Sequence, residues 1–227
     1  MSDREAYFAL VSSRPDMFRN PPGAGFEILL GEADIREAEQ AVAQKLEDFG
    51  APAEWAEVGV AFRDQYVTLL RDAVRFADGS LGTYIRMVEP EGSFPGVVVL
   101  PVWHGKVLLI RHFRHATRAW HLEIPRGFGS SADAAQSART ELTEEIGASA
   151  VTLTQLGEVY PDAGADSGKV GIFYADVESY GQPDAHEGIT EIVPTPIPDF
   201  ERMIRDGELT DGYLLSAYGL AKAKSVL

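Results

Sequence analysis

One segment near the middle of the chain constrains the fold more than any other. Residues 119–124 have the apolar character of a short strand, residues 127–130 form a glycine-rich loop, and residues 131–146 have helical spacing. Gly147 follows at the position where a glycine commonly ends a helix. A strand, a tight loop and a helix in direct succession indicate a layered domain in which a sheet packs against helices.

The rest of the chain repeats this mixture, which predicts an α/β or α+β fold. Strands are predicted at residues 26–30, 65–76, 82–88, 97–102, 106–113, 151–159, 170–177 and 189–194, and helices at 3–11, 33–49, 199–206 and 212–224. We expect a mainly helical N-terminal extension at residues 1–56 and a main domain at 57–227. Within that domain we expect N-terminal strands at residues 57–95 and the core at residues 96–227.

The amino-acid composition excludes several classes of binding partner and of site. The 227-residue chain has a formal net charge of −15, and acidic chains make poor contact with nucleic acid or anionic lipid. It contains no cysteine, which excludes disulfides, thiolate metal sites and thiol nucleophiles. No apolar run approaches the ~18 residues of a membrane span. We therefore expect a cytoplasmic protein that binds neither nucleic acid nor membranes.

Three carboxylates project from one face of the predicted central helix. Glu141, Glu144 and Glu145 are spaced i, i+3 and i+4, so they lie within about one turn of each other. Like charges at this spacing repel, and divalent cations with oxygen ligands would offset the repulsion. A solvated acidic face is the alternative interpretation.

A positively charged segment precedes this helix. Residues 106–126 contain a single acid, Glu123, and the basic residues Lys106, Arg111, Arg114, Arg118 and Arg126. A cationic segment beside a carboxylate cluster, in a chain this acidic, is typical of a site for a phosphate ester bridged by metal.

The same residues carry a resemblance to a known family. The segment from Gly127 to Ala148 resembles the Nudix box, G-x5-E-x7-R-E-U-x-E-E-x-G-U with U apolar, and ELTEEIGA at 141–148 fits its second half, with Ala148 a weak last position. Residues 107–127, including LEIP at 122–125, VYP at 159–161 and GELTD at 207–211 are similar to the ADP-ribose pyrophosphatase branch. The resemblance, over residues 82–223, implies the Nudix fold, with a mixed sheet between helices.

Two positions depart from the Nudix box. Its arginine falls on Thr140, and Arg139 lies one step around the helix. Its first glutamate falls on Ala132 or Asp133, because the interval before Glu141 is one residue short. In the family these groups brace the loop and orient the metal-binding glutamates. We expect their loss to affect efficiency but to leave the metal ligands in place.

The resemblance implies a site and a reaction. The implied ligands of Mg²⁺ or Mn²⁺ are Glu141, Glu144, Glu145 and the main-chain carbonyl of Arg126. The implied substrate contacts are Arg114, Glu123 and Gly127, although a structural salt bridge is an alternative role for Arg114. A later loop supplies the base or the last metal ligand; Glu187 is our candidate, with Asp184 and Glu191 behind it. The implied substrate is ADP-ribose or a related nucleotide sugar, cleaved to a nucleoside monophosphate and a sugar phosphate.

Similarity to ADP-ribose pyrophosphatases also implies a homodimer formed through the N-terminal strands. The apolar residues available for this interface are Phe62, Tyr66, Val67, Leu69, Leu70, Val74 and Phe76. The alternative is that they pack within one chain.

Other functional classes remain open at this stage. A catalytically weak Nudix protein could hold a nucleotide sugar as a sensor, or the chain could be an interaction protein with a merely acidic helix. We interpret His121 and His186 as surface or structural residues. We predict that the strand aromatics are core residues rather than base-stacking groups; these are Phe113, Trp120, Phe128, Phe173 and Tyr174.

Overall fold

The computed structural model describes residues 2–227, apart from the side chains at 150 and 151, and divides the chain into two compact units. The first contains the residues up to Glu91 together with Asp162–Ser167, and the second contains Gly92–Pro161 and Gly168–Leu227. The division thus falls after residue 91, whereas the sequence suggested one after residue 56. None of the helices in the described part of the chain is long and apolar enough to cross a membrane.

The first unit combines two helices with a four-stranded antiparallel sheet. Its elements are α1 (Arg4–Ser13), β1 (Phe26–Leu29), α2 (Glu32–Asp48), β2 (Gly59–Arg63), β3 (Thr68–Phe76) and β4 (Leu81–Val88). β3 pairs with β4 along one side, and on the other side with β1 and β2, which occupy different halves of its length. β2 was not predicted as a separate strand.

The helices of the first unit supply part of its core. Tyr7 and Leu10 of α1 and Ile35 of α2 are buried in one apolar cluster with Leu70 and Ala73 of β3. Burial of such side chains contributes about 1.5–3 kcal/mol each. The division after residue 91 follows, because these strands cannot bury their apolar residues without the preceding helices.

Some of the residues proposed for the dimer interface are buried within the first unit and others are exposed. Leu70 belongs to this core and Val74 is only 2% exposed, so neither is available to a partner. Phe62 and Tyr66 are 51% and 62% exposed. The apolar character of residues 65–76 therefore reflects packing within the chain at least as much as an outer surface.

A buried charge in the first unit is neutralised by its neighbours. Asp72 on β3 is 2% exposed, and its two carboxylate oxygens accept hydrogen bonds from the Tyr7 hydroxyl at 2.6 Å and from Nε of Arg86 at 2.6 Å. Burial, followed by the charge of Asp72, raises the pKa of Tyr7 far above its ordinary value. The arrangement ties α1 to β3 and β4.

The second unit has a seven-stranded mixed sheet between helices, which confirms the predicted fold class. Its elements are β5 (Phe94–Trp103), β6 (Lys106–Arg114), β7 (Ala119–Glu123), β8 (Arg126–Gly129), α3 (Ala134–Ile146), β9 (Ser149–Val159), β10 (Val170–Ser179), β11 (Ile189–Pro196), α4 (Ile197–Arg205) and α5 (Gly212–Ala223). The strand order is β11-β6-β5-β10-β9, and only β5 and β10 run parallel.

Alternate residues of β5 face two different helical layers. Val97 and Val99 pack with Leu142 and Ile146 of α3, whereas Val98 and Leu100 belong to the cluster that contains α4 and α5. This period of two is what a strand buried on both faces requires. The apolar residues of α3 thereby fix which side of the helix turns away from the sheet.

The sheet opens between β5 and β6. These strands pair only beside their turn, after which β7 pairs with β6 and β8 pairs with β5. Residues 126–129 therefore form a strand, where the sequence predicted a loop over 127–130, and α3 begins at Ala134 rather than at residue 131. The glycines concealed the strand because they provide no side-chain alternation.

We expect Arg86→Met to lower the free energy of unfolding by about 3 kcal/mol, because it leaves the buried Asp72 without its cation. Arg75→Met is the matched control in the same sheet. It removes ion pairs to Glu27 and Asp34 that are about half exposed, and it should cost less than about 1 kcal/mol. Urea unfolding of both variants checks this, and equal losses would contradict it.

Candidate active site

The helix α3 is held at both ends by local interactions. The Asp133 side chain accepts hydrogen bonds from the backbone N–H groups of Ala135 at 2.9 Å and Gln136 at 3.4 Å, which is an N-cap. Gly147 ends the helix in a left-handed conformation with φ of 60°. Asp133, one of the two positions where the Nudix box has its first glutamate, therefore serves the helix start.

Glu145 is the most deeply buried carboxyl group of α3. Its side chain is 1% exposed, and its Oε2 accepts the backbone N–H of Arg126 at 3.1 Å. Its Oε1 is also buried and has no hydrogen-bond partner. Burial, and then the negative charge of Glu141, raise the pKa of Glu145 to about 8, although the Arg126 N–H opposes the shift.

Glu141 lies one turn earlier, against the main chain of Gly127. A Cβ placed on Gly127 would come within 2.3 Å of all three carboxylate atoms of Glu141, so a side chain at position 127 would displace that carboxylate. Burial raises the pKa of Glu141 to about 7, assisted by the charges of Glu144 and Glu187. The carboxylate face of α3 therefore packs directly on β8.

The predicted loop glutamate lies near this helix. Glu187 contributes to the raised pKa of both Glu141 and Glu145, which places its charge within electrostatic range of them. Its loop is attached to the helix because the backbone N–H of Asp184 donates to the backbone carbonyl of Glu145 at 3.0 Å. It is attached to β6 because the Phe113 N–H donates to the Gly188 carbonyl at 3.1 Å.

The other predicted acidic residues of the site, Glu144, Asp184 and Glu191, are more exposed than Glu145. Glu144 is exposed on α3, and Glu191 is exposed on β11. The Asp184 side chain accepts the backbone N–H of His186 at 2.8 Å. Within residues 2–227, no three His, Asp or Glu side chains are already gathered closely enough to enclose an ion. The glutamates share a face of the helix, and binding a cation would require their side chains to turn towards a common point.

The predicted substrate residues form an ionic network. Glu123 is 2% exposed, and its Oε2 accepts a hydrogen bond from Nε of Arg114 at 2.8 Å and from Nη2 of Arg126 at 3.1 Å. Nη2 of Arg114 lies 2.6 Å from the same oxygen, but at an angle that makes this an ionic contact rather than a hydrogen bond. Burial alone would raise the pKa of Glu123, but the two arginines outweigh it and lower the pKa.

Arg126 links this network to the last helix. Its Nη2 also lies 3.3 Å from Asp211, and its guanidinium sits 4.8 Å from the centre of the Tyr213 ring. Arg114 keeps 28% of its side chain exposed although Glu123 holds it. The salt bridge foreseen for Arg114 is therefore present, and the Arg114 side chain remains partly exposed.

Sequence reasoning missed three residues of this region. His112 is 4% exposed with no partner for Nδ1, and burial, followed by the charge of Arg114, lowers its pKa. Asp211 pairs with Arg126, and Ser137 is fully buried beside β8. Ser137 could have been found from its helical spacing, since it lies four residues before Glu141. His112 and Asp211 could not, because their partners are distant in sequence.

Two of the predicted core aromatics are surface residues. Phe173 is buried, but Trp120 is 47% and Phe128 72% exposed, which corrects the expectation for both. Trp120 is near the edge of the sheet on β7, where it contacts Phe113 edge to face. A surface pocket of about 240 Å³ lies nearby and includes none of the four glutamates at 141, 144, 145 and 187; it is lined by Arg111, Trp120, His121, Leu122, Glu208 and Thr210.

Comparison with known proteins gave two findings. A family model described as the NUDIX domain matches residues 92–209, just over half of the chain. Among solved structures, the chain is similar to the crystal structure of an ADP compounds hydrolase at 25% sequence identity, with a TM-score of 0.62 over 74% of this chain and 90% of that chain. The curated proteins gave no match.

We expect the metal-free protein to lose stability as the pH rises. The folded state holds a proton on Glu145 up to about pH 8, whereas the unfolded chain releases it near 4.5, so unfolding releases a proton between these values. The free energy of unfolding, measured with chelator present, should fall by about 2 kcal/mol or more from about pH 5 to about pH 8. Glu145→Gln should reduce this dependence and leave the smaller part that Glu141 contributes, whereas Glu144→Gln, on the exposed side, should keep most of it. Identical slopes in both variants would contradict the assignment.

Proposed function

Because this chain belongs to the Nudix family of hydrolases, we propose that it cleaves ADP-ribose or a related nucleotide sugar in a reaction that depends on a divalent metal. The products are a nucleoside monophosphate and a sugar phosphate. One observation carries the proposal: Glu145 is a buried carboxyl group with an unpartnered oxygen. It lies close to Glu141 and Glu187 and to the partly exposed Arg114. The similarity to an ADP compounds hydrolase supports the substrate class.

The residues present fit a divalent cation. The Oε1 atom of Glu145 is buried without a hydrogen bond. Burial raises the pKa values of Glu141 and Glu145, and at Glu145 it outweighs the opposing effects of the Arg126 N–H and the Arg114 charge. All candidate ligands are oxygen atoms, which Mg²⁺ and Mn²⁺ prefer. We propose that the ion is held by the carboxylates of Glu141, Glu144 and Glu145 and the main-chain carbonyl of Arg126. When bound, such an ion neutralises the diphosphate and makes a water molecule more acidic.

Arg114, Glu123 and Gly127 are the residues that we propose for substrate binding, either directly or through a neighbour. The Arg114 side chain is partly exposed and its positive charge would attract a phosphate, and Glu123 fixes the orientation of the guanidinium. Gly127 has no side chain, which leaves room for the Glu141 carboxylate against its main chain, so a phosphate bound through a cation on Glu141 would lie beside Gly127. Glu123 thus acts through Arg114 and does not need to touch the substrate.

Glu187 is the proposed general base. It would take a proton from the attacking water as the water oxygen bonds to one phosphorus and the bridging P–O bond breaks. The leaving phosphate departs with the bridging oxygen. The attachment of this loop to the Glu145 backbone keeps Glu187 near the reacting atoms.

A nucleotide-sugar sensor without turnover is the second candidate. Thr140 stands where the Nudix box has arginine, and Asp133 is occupied as a helix cap. Mg²⁺-dependent release of AMP from ADP-ribose separates the two functions, since a sensor would bind the compound and leave it intact. Nucleoside triphosphates and dinucleotides, assayed in parallel, test the substrate class.

We expect Glu145→Gln to keep the fold and to lower kcat by about 10² or more, the scale of losing one electrostatic group in an active site. Glu158→Gln is the matched control, because Glu158 is an exposed surface residue paired with Lys169. The check is AMP release from ADP-ribose with Mg²⁺. Equal turnover in wild type and Glu145→Gln would remove Glu145 from the mechanism.

We propose that the protein is a homodimer formed through the first unit. Phe62 and Tyr66 are exposed there, and Phe26 stacks on the exposed Tyr84 with ring centres 5.6 Å apart. Large exposed apolar side chains in one unit indicate an interaction surface. Deleting the residues before Glu57 would destroy the core of this unit, so surface substitutions are the better test.

Light scattering at micromolar concentration should give about twice the chain mass of 24.7 kDa. Phe62→Ser combined with Tyr66→Ser should shift the mass towards the monomer, because the interface loses buried aromatic area. Leu215→Ser, an exposed apolar residue of the second unit, is the control. A monomeric wild type would refute the dimer.

A further inference from the structure

The segment 126–131 lies along a single stripe of α3. Ser137, Glu141 and Glu145 are four residues apart, so they lie one above another on the helix. Glu145 accepts the Arg126 N–H and Glu141 packs on Gly127, as described above. The third contact is made by Ser137, whose Oγ accepts the backbone N–H groups of Ser130 at 3.1 Å and Ser131 at 3.2 Å.

We infer that Ser137 is a positioning residue that holds segment 126–131 against α3, so that Arg126 and Gly127 meet the glutamates in the correct register. The inference rests on the proposed function and deepens it. Ser137 performs this role in a chain where Thr140 and Asp133 depart from the Nudix box.

The surroundings of Ser137 suit this positioning role, and we call its two hydrogen bonds to Ser130 and Ser131 the Ser137 brace. Its side chain is fully buried, so water cannot readily replace the hydroxyl. β8 ends at Gly129, and the next two N–H groups therefore have no strand partner and depend on the hydroxyl. The hydroxyl proton can be donated to the backbone carbonyl of Asp133 or Ser131, each 3.5 Å away.

The brace is distinct from the helix cap. The Asp133 side chain accepts N–H groups that belong to α3 itself, whereas Ser137 accepts N–H groups of the segment after β8. Weakening the cap should destabilise the start of the helix and leave the stripe from Ser137 to Glu145 intact. Removing the Ser137 hydroxyl should release the segment and leave a good helix-forming residue in place.

The experiment compares Ser137→Ala with two controls, Asp133→Ala and Thr143→Ala. Thr143 carries a hydroxyl on the same helix that donates to the backbone of Arg139 at 3.0 Å and does not touch the segment. Three quantities are measured: amide hydrogen exchange at Ser130 and Ser131, Mn²⁺ affinity of the otherwise metal-free protein, and kcat and KM for ADP-ribose.

For Ser137→Ala we expect exchange at both amides to quicken about tenfold, Mn²⁺ to bind about tenfold more weakly, and kcat to fall at least about tenfold, because residues that orient metal ligands affect both properties. Thr143→Ala should match wild type in all three. Asp133→Ala should speed exchange in the first turn of α3 and leave Mn²⁺ affinity within about twofold. Thr140→Arg should bring no gain in kcat, since the segment is already held.

Unchanged exchange at Ser130 and Ser131 in Ser137→Ala would overturn the brace. So would Mn²⁺ affinity and kcat equal to those of Thr143→Ala. A wild-type protein that neither binds Mn²⁺ nor hydrolyses any nucleotide diphosphate would instead overturn the proposed function. In that case the amide exchange would still decide whether Ser137 holds the segment.

Discussion

The packing of α3 on the sheet of the second unit determines most of what the candidate site can do. Leu142 and Ile146 are buried against β5, and this fixes the rotation of the helix about its axis. Glu141 and Glu145 are consequently turned towards β8 and lose much of their contact with water. Hydrophobic burial on one side of the helix thus offsets the cost of desolvating two carboxylates on the adjacent side.

The two units treat a buried carboxylate in opposite ways. Asp72 receives hydrogen bonds from a tyrosine and an arginine, so its charge is satisfied within the chain. Glu145 accepts one backbone N–H and keeps one oxygen without a hydrogen-bond partner. The nearby arginines, Arg114 and Arg126, pair with Glu123 instead. A buried acid left unsatisfied beside one that is neutralised is the pattern that the proposed cation site requires.

The sequence predicted the parts of this arrangement that depend on local spacing. The three glutamates of α3, the glycine that ends the helix and the mixed sheet between helices all follow from periodicity and motif. The strand β8 was hidden, because its glycines and short length resemble a loop until β5 offers a partner. The joint core of residues 4–88 was hidden for a similar reason: apolar periodicity identifies a helix, but not which strand it will cover. The positions of His112 and Asp211 depend on contacts between distant segments, and no local pattern encodes them.

The short segment Asp162–Ser167 has a consequence for how the chain can be divided. It leaves the second unit between β9 and β10 and joins the first, where Met87 exchanges backbone hydrogen bonds with Ala165 and Ser167. The polypeptide therefore passes between the units three times rather than once. A single proteolytic cut near residue 91 would therefore not separate the two units cleanly, because the second fragment would still carry Asp162–Ser167, which belongs to the first unit. A fragment that begins at residue 92 would carry these six residues, and Gly164, Ala165 and Ser167 would lose their hydrogen bonds to Tyr84 and Met87. The units are therefore not modules that recombination could separate at one point.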